Sequence, residues 1–535
     1  MTIQAIVAYP DRIELIADIP MPVLTWGRAF VPLVKGGAGR HTPTRVLAES
    51  QRVEGDRLIF PRRADGYDLL IARFCVIADG ETADGVCYVT DIDPTATRGH
   101  TPRPPVGKPI GTWVTCPGED VDYYGFGGMM TEVNSAWIQT LTPAEGDIPH
   151  IWNGKTYWFV KSMMDTYDRL MMPCIQRGIP CLLRLINRFS YRLKGSDGDL
   201  RTVIGHPDYE DTGFSEQMSA FNITDEEGLN MYCACVDFLC ARYADPSSPL
   251  FCVTVVDVGN EINAQAVWHN CGPMPCAAYM EEYTQQLRLA HLIGRRYNAT
   301  FRVDVSFDHH FAIPFRPDPL RYYSSKECLY RLAELSRRDG DFPWGISAHP
   351  YPEDLTKPDF YNDKTAAFSL DTPRITMKNI EVWQALAESP DLRYRGAPRP
   401  VVFDEQGFHT DYDDPESENK GAYAFVLLYL KMRNCPNLEQ FLINRYTDMP
   451  QGDESGLHLG LRYEEGYADA EHLFIHPGPY KKITHAIRAM DTEAEGKWVA
   501  EARAYIGAEL FDSLLHPTVP ADPLAETIFG QTPLS

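Results

Sequence analysis

Two stretches deliver acids where an apolar run gives out. In "VVDVGNEIN", residues 255–263, a β-branched segment ends in Asn260 and Glu261. In "RPVVFDEQGF", residues 399–408, a second apolar run ends in Asp404 and Glu405. A pair of carboxyl groups on either side of one bond is what glycoside cleavage needs. One protonates the leaving oxygen; the other attacks the anomeric carbon or activates water, and retaining chemistry sets the two about 5–5.5 Å apart. A single acid at the end of a strand is most often a polar residue meeting solvent. Here the pattern recurs: Asp308-His309-His310, His349-Pro350-Tyr351 and Asn444-Arg445-Tyr446 each close an apolar run, and Arg184 and Asn187 sit in another.

The elements that would carry these groups alternate. Candidate strands cover 111–116, 129–138, 179–187, 251–261, 301–310, 344–352, 399–408 and 439–448, with helix-like stretches between most of them. One of these, starting Thr224-Asp-Glu-Glu, carries a capping signal. Eight strands, mostly followed by helices, predict an α/β fold: a (β/α)8 TIM barrel. Residues 1–90 read differently, as short alternating runs punctuated by Gly, Pro and Asp, which predicts an N-terminal antiparallel, sandwich-like β domain. The Pro- and Thr-rich "DPTATRGHTPRPPVGKPIG" reads as a linker. The expected domains are residues 1–105, the barrel over 106–495, and a tail over 496–535 packing outside it. Active sites of such barrels gather at the C-terminal strand ends. The fourth and seventh strands lie across the mouth, so Glu261 and Glu405 are placed to face one substrate.

Composition narrows the class. Hydrophobic content of 44% with 23% charged residues is ordinary for a globular protein, and no apolar run reaches the roughly 18 residues of a membrane span. A formal charge of −24 argues against nucleic acid or an anionic membrane as partner and suits a neutral or weakly charged substrate. The N-terminus lacks a basic n-region, so a cytoplasmic location is expected. The 13 cysteines are scattered and read as reduced core residues. His269, Cys271 and Cys276 faintly suggest a metal but lack a second ligand pair at zinc spacing. No cofactor or metal is expected, and the oligomeric state is open.

The motifs also resemble a known group. Asn-Glu at the fourth strand and a single Glu at the seventh resemble clan A glycoside hydrolases. "GNEIN", "SFDHHF", "DFPWGISAHPYPEDL", "ITMKNIEVW", "FDEQGF" and "INRYTD…GLHLGL" are similar to a bacterial barrel family catalogued as a domain of unknown function. The resemblance covers most of residues 110–490. "GTWVTC" departs from it, lacking a Lys-Gly start. The resemblance implies Glu261 as acid/base and Glu405, rather than Asp404, as nucleophile. Alternation along a strand points those two neighbours to opposite faces. Burial and the second carboxylate should raise the pKa of Glu261. Asn260 is expected on the hydroxyl beside the anomeric carbon, with His349 and Tyr351 lining the site and Tyr351 bonding the nucleophile. Asp308, His309 and His310 contact sugar hydroxyls or pack behind the site. Arg184 and Arg445 orient Glu405 or form structural ion pairs, and Trp268 is a stacking platform or a packing residue.

The reading is a retaining O-glycosidase acting on a carbohydrate. Its rivals are a metal-dependent barrel hydrolase using Asp308, His309, His310, His349 and Glu405, and a carbohydrate-binding barrel without turnover.

Overall fold

The structure is a computed structural model and describes residues 1–36, 44–51, 53–189, 198–214, 218–452, 456–468 and 475–520. Its centre is a closed barrel of eight parallel strands. They are β1 (Lys108–Trp113), β2 (Phe126–Asn134), β3 (Cys181–Ile186), β4 (Val255–Val258), β5 (Arg302–Phe307), β6 (Trp344–Ala348), β7 (Val401–Gln406) and β8 (Leu438–Ile443). Neighbours in sequence are neighbours in space, and β8 closes on β1 through Ile110↔Phe441. Parallel strands covered by helices are buried on both faces, hence the near-continuous Val, Ile and Leu. All six residues of "CLLRLI" in β3 are buried, the arginine included.

The expected strand count and order hold, but every strand ends before its expected limit, and two of these ends are informative. β4 stops at Val258, where the predicted strand ran on to Glu261. Gly259 has φ +82° and Glu261 φ +36°, backbone that no strand accommodates. The predicted second strand likewise ends at Asn134, whose side chain caps the short helix Ser135–Ile138.

The helix Glu226–Leu239 starts as its sequence suggests, with one correction. Its cap is Asp225, which accepts the Gly228 N–H at 2.9 Å, whereas the Thr224 hydroxyl turns back to Asn222. The helix Ser325–Asp339 is capped by Ser324 on the Glu327 N–H. Such caps satisfy donors that the first turn leaves free.

Residues 2–92 form two larger β-sheets and a two-stranded one, Arg63–Ala64 with Tyr67–Asp68. One larger sheet orders Asp84–Gly85, Thr2–Ala8, Arg12–Ala17, Arg57–Pro61 and Val53–Glu54; the other Glu81–Thr82, Arg73–Ala78, Thr25–Phe30 and Val46–Ser50. Their pairing is antiparallel as expected, except that Thr2–Ala8 also pairs in parallel with Asp84–Gly85 and Asp91–Ile92. One continuous buried cluster holds Ile6 and Leu15 of these sheets, Leu70 between them and the barrel, and Leu287 of the helix Cys276–Arg295. Past β8, the helices Glu495–Ile506 and Ala508–Leu515 lie against Ser417–Met432, where Lys431 Nζ donates to the Leu514 carbonyl at 2.9 Å. Of the predicted tail, residues 521–535 lie outside the described residues. Among the described residues no helix is long and apolar enough to cross a membrane. Twelve of the cysteines are buried and Cys75 is partly so.

Candidate active site

Barrel interiors are usually layered with branched apolar side chains. This one carries charge. Strand register aligns Glu132 of β2, Arg184 of β3, Asp257 of β4 and Asp304 of β5 at one level. Arg184, Asp257, Asp304, His349 and Asp404 are all essentially without exposed surface. A buried charge persists only when paired, so the pairing defines the site.

Arg184 is the hub. Its Nη2 donates to Asp404 Oδ2 at 2.5 Å, and its Nη1 donates to Glu405 Oε2. Asp404 and Glu405 therefore share one guanidinium, and strict alternation does not hold at this point. The reason is a register break: β7 pairs Phe403 with Phe441 but Gln406 with Ile443 of β8. An extra residue on one strand is a bulge, and a bulge re-aims side chains. Asp404 stays fully buried, while the Glu405 side chain keeps 18% of its surface exposed.

His349 follows β6 and joins this hub to the other acid. Its Nδ1 lies 2.7 Å from Glu261 Oε1. Its Nε2 lies 3.1 Å from Arg184 Nη2, 3.2 Å from Ser306 Oγ and 3.3 Å from Asp404 Oδ1. Glu261 is held in left-handed backbone at φ +36°, ψ +55°, which a non-glycine residue adopts only at a cost of order 1–3 kcal/mol. Its N–H donates to Ser306 Oγ at 3.2 Å, and its side chain retains 14% exposure. Gly259 is glycine because its φ is +82° and a Cβ there would meet His269 Cδ2 at 2.8 Å.

These surroundings set the acids apart. Burial raises the pKa of Glu261, reinforced by Asp308 and Glu405 against the pull of His349. Burial acts the same way on Glu405, but Arg184 and His349 outweigh it and hold the carboxyl below its usual range. Asp404 is likewise lowered, burial losing to Arg184 and His349. For His349 burial opposes the charge, yet Asp404 and Glu405 prevail and raise it to about 10.

The other expected residues divide. Tyr351 O–H reaches Glu405 Oε1 at 3.4 Å and accepts from Asn444 Nδ2 at 3.1 Å. Asn260 is 4% exposed, and its Oδ1 has no hydrogen-bond partner among the described residues. Asp308 accepts from Asn263 Nδ2 at 2.7 Å and pairs with His310 Nδ1 at 3.0 Å. The His309 ring lies tilted against His310, centroids 4.4 Å apart, and burial, aided by His310, pushes its pKa down to about 3. Arg445 turns to Met449, its Nη1 2.8 Å from the sulfur. Trp268 packs with Ala264, Val267 and Tyr322. Among the described residues no three His, Cys, Asp or Glu side chains form a group able to hold a metal. His269, Cys271 and Cys276 go to separate partners: Tyr279, Gln265 and Cys328.

Sequence reading passes over Asp257, Ser306 and Ser347, and names Asn444 only as part of a polar strand end. An acid at the centre of "VVDV" was a signal in plain view, because a buried strand position rejects an unpaired charge.

Comparison with known proteins places the chain in context. Solved structures similar to it include a family 39 glycoside hydrolase from the gut symbiont Bacteroides cellulosilyticus WH2, at 13% identity and TM-score 0.44, covering 91% of this chain and 78% of that one. A hyperthermophilic β-glucosidase from Pyrococcus furiosus matches at 13% identity and TM-score 0.43, over 73% of this chain and 86% of that one. A family 1 β-glucosidase from Thermotoga maritima matches at 10% and 0.40, over 70% and 84%. No curated protein matches. The model of a family of unknown function, DUF5722, matches residues 110–514, from the first barrel strand to the last helix among the described residues. With so much of its length matched, the chain belongs to that family.

Proposed function

We propose that the protein is a retaining glycoside hydrolase. Residues 106–495 would form its catalytic barrel, 1–105 an accessory β domain and 496–535 an outer tail. One observation carries the reading: Glu261 and Glu405, the partly exposed acids of a buried charge network, are pushed in opposite directions in proton affinity. Pairs of acids separated in this way divide acid from base roles.

Glu261 arrives protonated and gives its proton to the departing glycosidic oxygen. Glu405, ionised against Arg184 and reached by Tyr351, attacks the anomeric carbon and forms a glycosyl ester. Glu261, now a carboxylate beside His349, takes a proton from water. That water attacks the same carbon, releases the sugar with its configuration retained and frees Glu405. Asn260 offers its buried carbonyl oxygen to a sugar hydroxyl. The substrate is a carbohydrate glycoside.

A panel of aryl glycosides, followed by proton NMR of the first-formed anomer, tests the mechanism. Retained configuration supports it. Inverted configuration, or full activity in Glu405→Ala, overturns it.

A further inference from the structure

Asp257 sits in the middle of β4 with no exposed surface. Its Oδ1 accepts the Ser347 hydroxyl at 2.8 Å, while its Oδ2 has no hydrogen-bond donor among the described residues. The group facing it is another carboxylate: Asp257 and Asp404 stand within hydrogen-bonding reach of one another. Asp404 Oδ1 likewise lacks a donor beyond the long approach of His349 Nε2 at 3.3 Å. Two buried carboxylates in contact cannot both stay ionised, and a buried acceptor without a donor is destabilising. A single proton between them removes both problems.

The surroundings decide which acid holds it. Asp404 has Arg184 at 2.5 Å and His349 beside it, so it keeps its charge. Asp257 is faced by Arg184 from β3, whose Nη1 and Nη2 go to Glu405 and Asp404 and whose Nε has no hydrogen-bond partner among the described residues. From β5 it is faced by Asp304, which Arg302 holds at 2.6 Å. From β6 comes only the Ser347 hydroxyl, and from β7 Asp404. Tyr283 behind it donates to the Val258 carbonyl instead.

We propose that Asp257 is a neutral carboxylic acid that donates its proton to Asp404 and so acts as a positioning residue for Glu405. Asp404, pinned from one side, keeps a single negative charge for Arg184 Nη2 and leaves Nη1 aimed at Glu405. Two cations, Arg184 and His349, then balance two anions, Asp404 and Glu405. An ionised Asp257 would add a third anion and draw the guanidinium away from the nucleophile. The identification of Glu405 as nucleophile rests on the glycosidase reading; the shared proton does not.

Asp257→Asn and Asp257→Leu separate the possibilities. An amide accepts from Ser347 and donates to Asp404, as the acid does; leucine does neither. On an aryl glycoside the wild type cleaves, D257N retains kcat within a few-fold with an unchanged acid limb. D257L loses about 10²-fold in kcat at similar KM, the cost of a nucleophile misplaced by roughly 1 Å. Equal kcat in the two variants overturns the positioning role. The proton itself is read by thermal denaturation of wild type and D257N from pH 4 to 8. A proton kept in the folded chain but lost from the unfolded one above about pH 4 makes wild-type Tm fall relative to D257N as pH rises. A constant offset between pH 5 and 8 overturns the neutral acid. Absence of any glycosidase activity in the wild type sinks the catalytic reading alone, and the denaturation result still decides the proton.

Discussion

Nδ1 of His349 lies 2.7 Å from Oε1 of Glu261, and on its far side the ring meets the guanidinium that binds Glu405. The two proposed catalytic acids are thus linked through a continuous chain of buried groups rather than standing independently at the barrel mouth. Any change of charge along that chain is felt at both ends.

The first consequence concerns Glu261. Glu261→Ala should lower kcat/KM by about 10²–10⁴ on glycosides with poor leaving groups, the usual worth of a positioned general acid. Substrates with acidic phenol leaving groups should suffer far less at the glycosylation step. The basic limb of the pH profile should vanish, and added azide should speed turnover and yield a glycosyl azide of retained configuration. Equal losses on both substrate classes would reject Glu261 as the acid.

Glu405→Ala should abolish detectable hydrolysis while leaving the melting temperature within a few degrees, because its side chain is partly exposed. A fluorosugar inactivator should label the wild type by one glycosyl mass, and peptide mapping should locate it at Glu405. Label on Asp404 would reverse the assignment of the two neighbours.

Arg184→Met should be costly to the fold. It strips Asp404 and Glu405 of the guanidinium they share and leaves His349 as the one cation of the group, and breaking a buried pair from one side costs about 3–5 kcal/mol. Urea unfolding measures this. The double variant Arg184→Met with Asp404→Leu should regain stability but not activity. If the single and double variants unfold alike, the pair is not the stabilising unit.

His349 sets a pH dependence on the alkaline side. Its folded pKa is raised, to about 10, above an ordinary value near 6.5. The stabilisation it contributes is therefore complete below about pH 6.5 and lost as pH rises through 10. Asp404 and Glu405 are lowered, so their contribution is present above about pH 4 and lost on acidification. Tm of the wild type should fall from pH 7 to 10 more steeply than that of His349→Gln; parallel curves would refute the charged imidazole.

Much of this was legible in one dimension. Periodicity separated β from β/α regions, because a buried parallel strand must be apolar on both faces and a half-buried antiparallel strand only on one. The barrel then placed Glu261 and Glu405 at strand exits, and "AHPYP" placed His349 beside them. What the sequence could not decide were relations between strands. The bulge in β7 that turns Asp404 and Glu405 onto one arginine depends on pairing with β8, which local residue patterns do not specify. The left-handed turn at Glu261 depends on Ser306 receiving its N–H from the next strand. The meeting of Asp257 with Asp404 joins residues far apart in the chain on opposite sides of the barrel. Hydrophobic pattern determines which residues are buried; only closure of the barrel decides which buried charges meet, and hence which of them keep a proton.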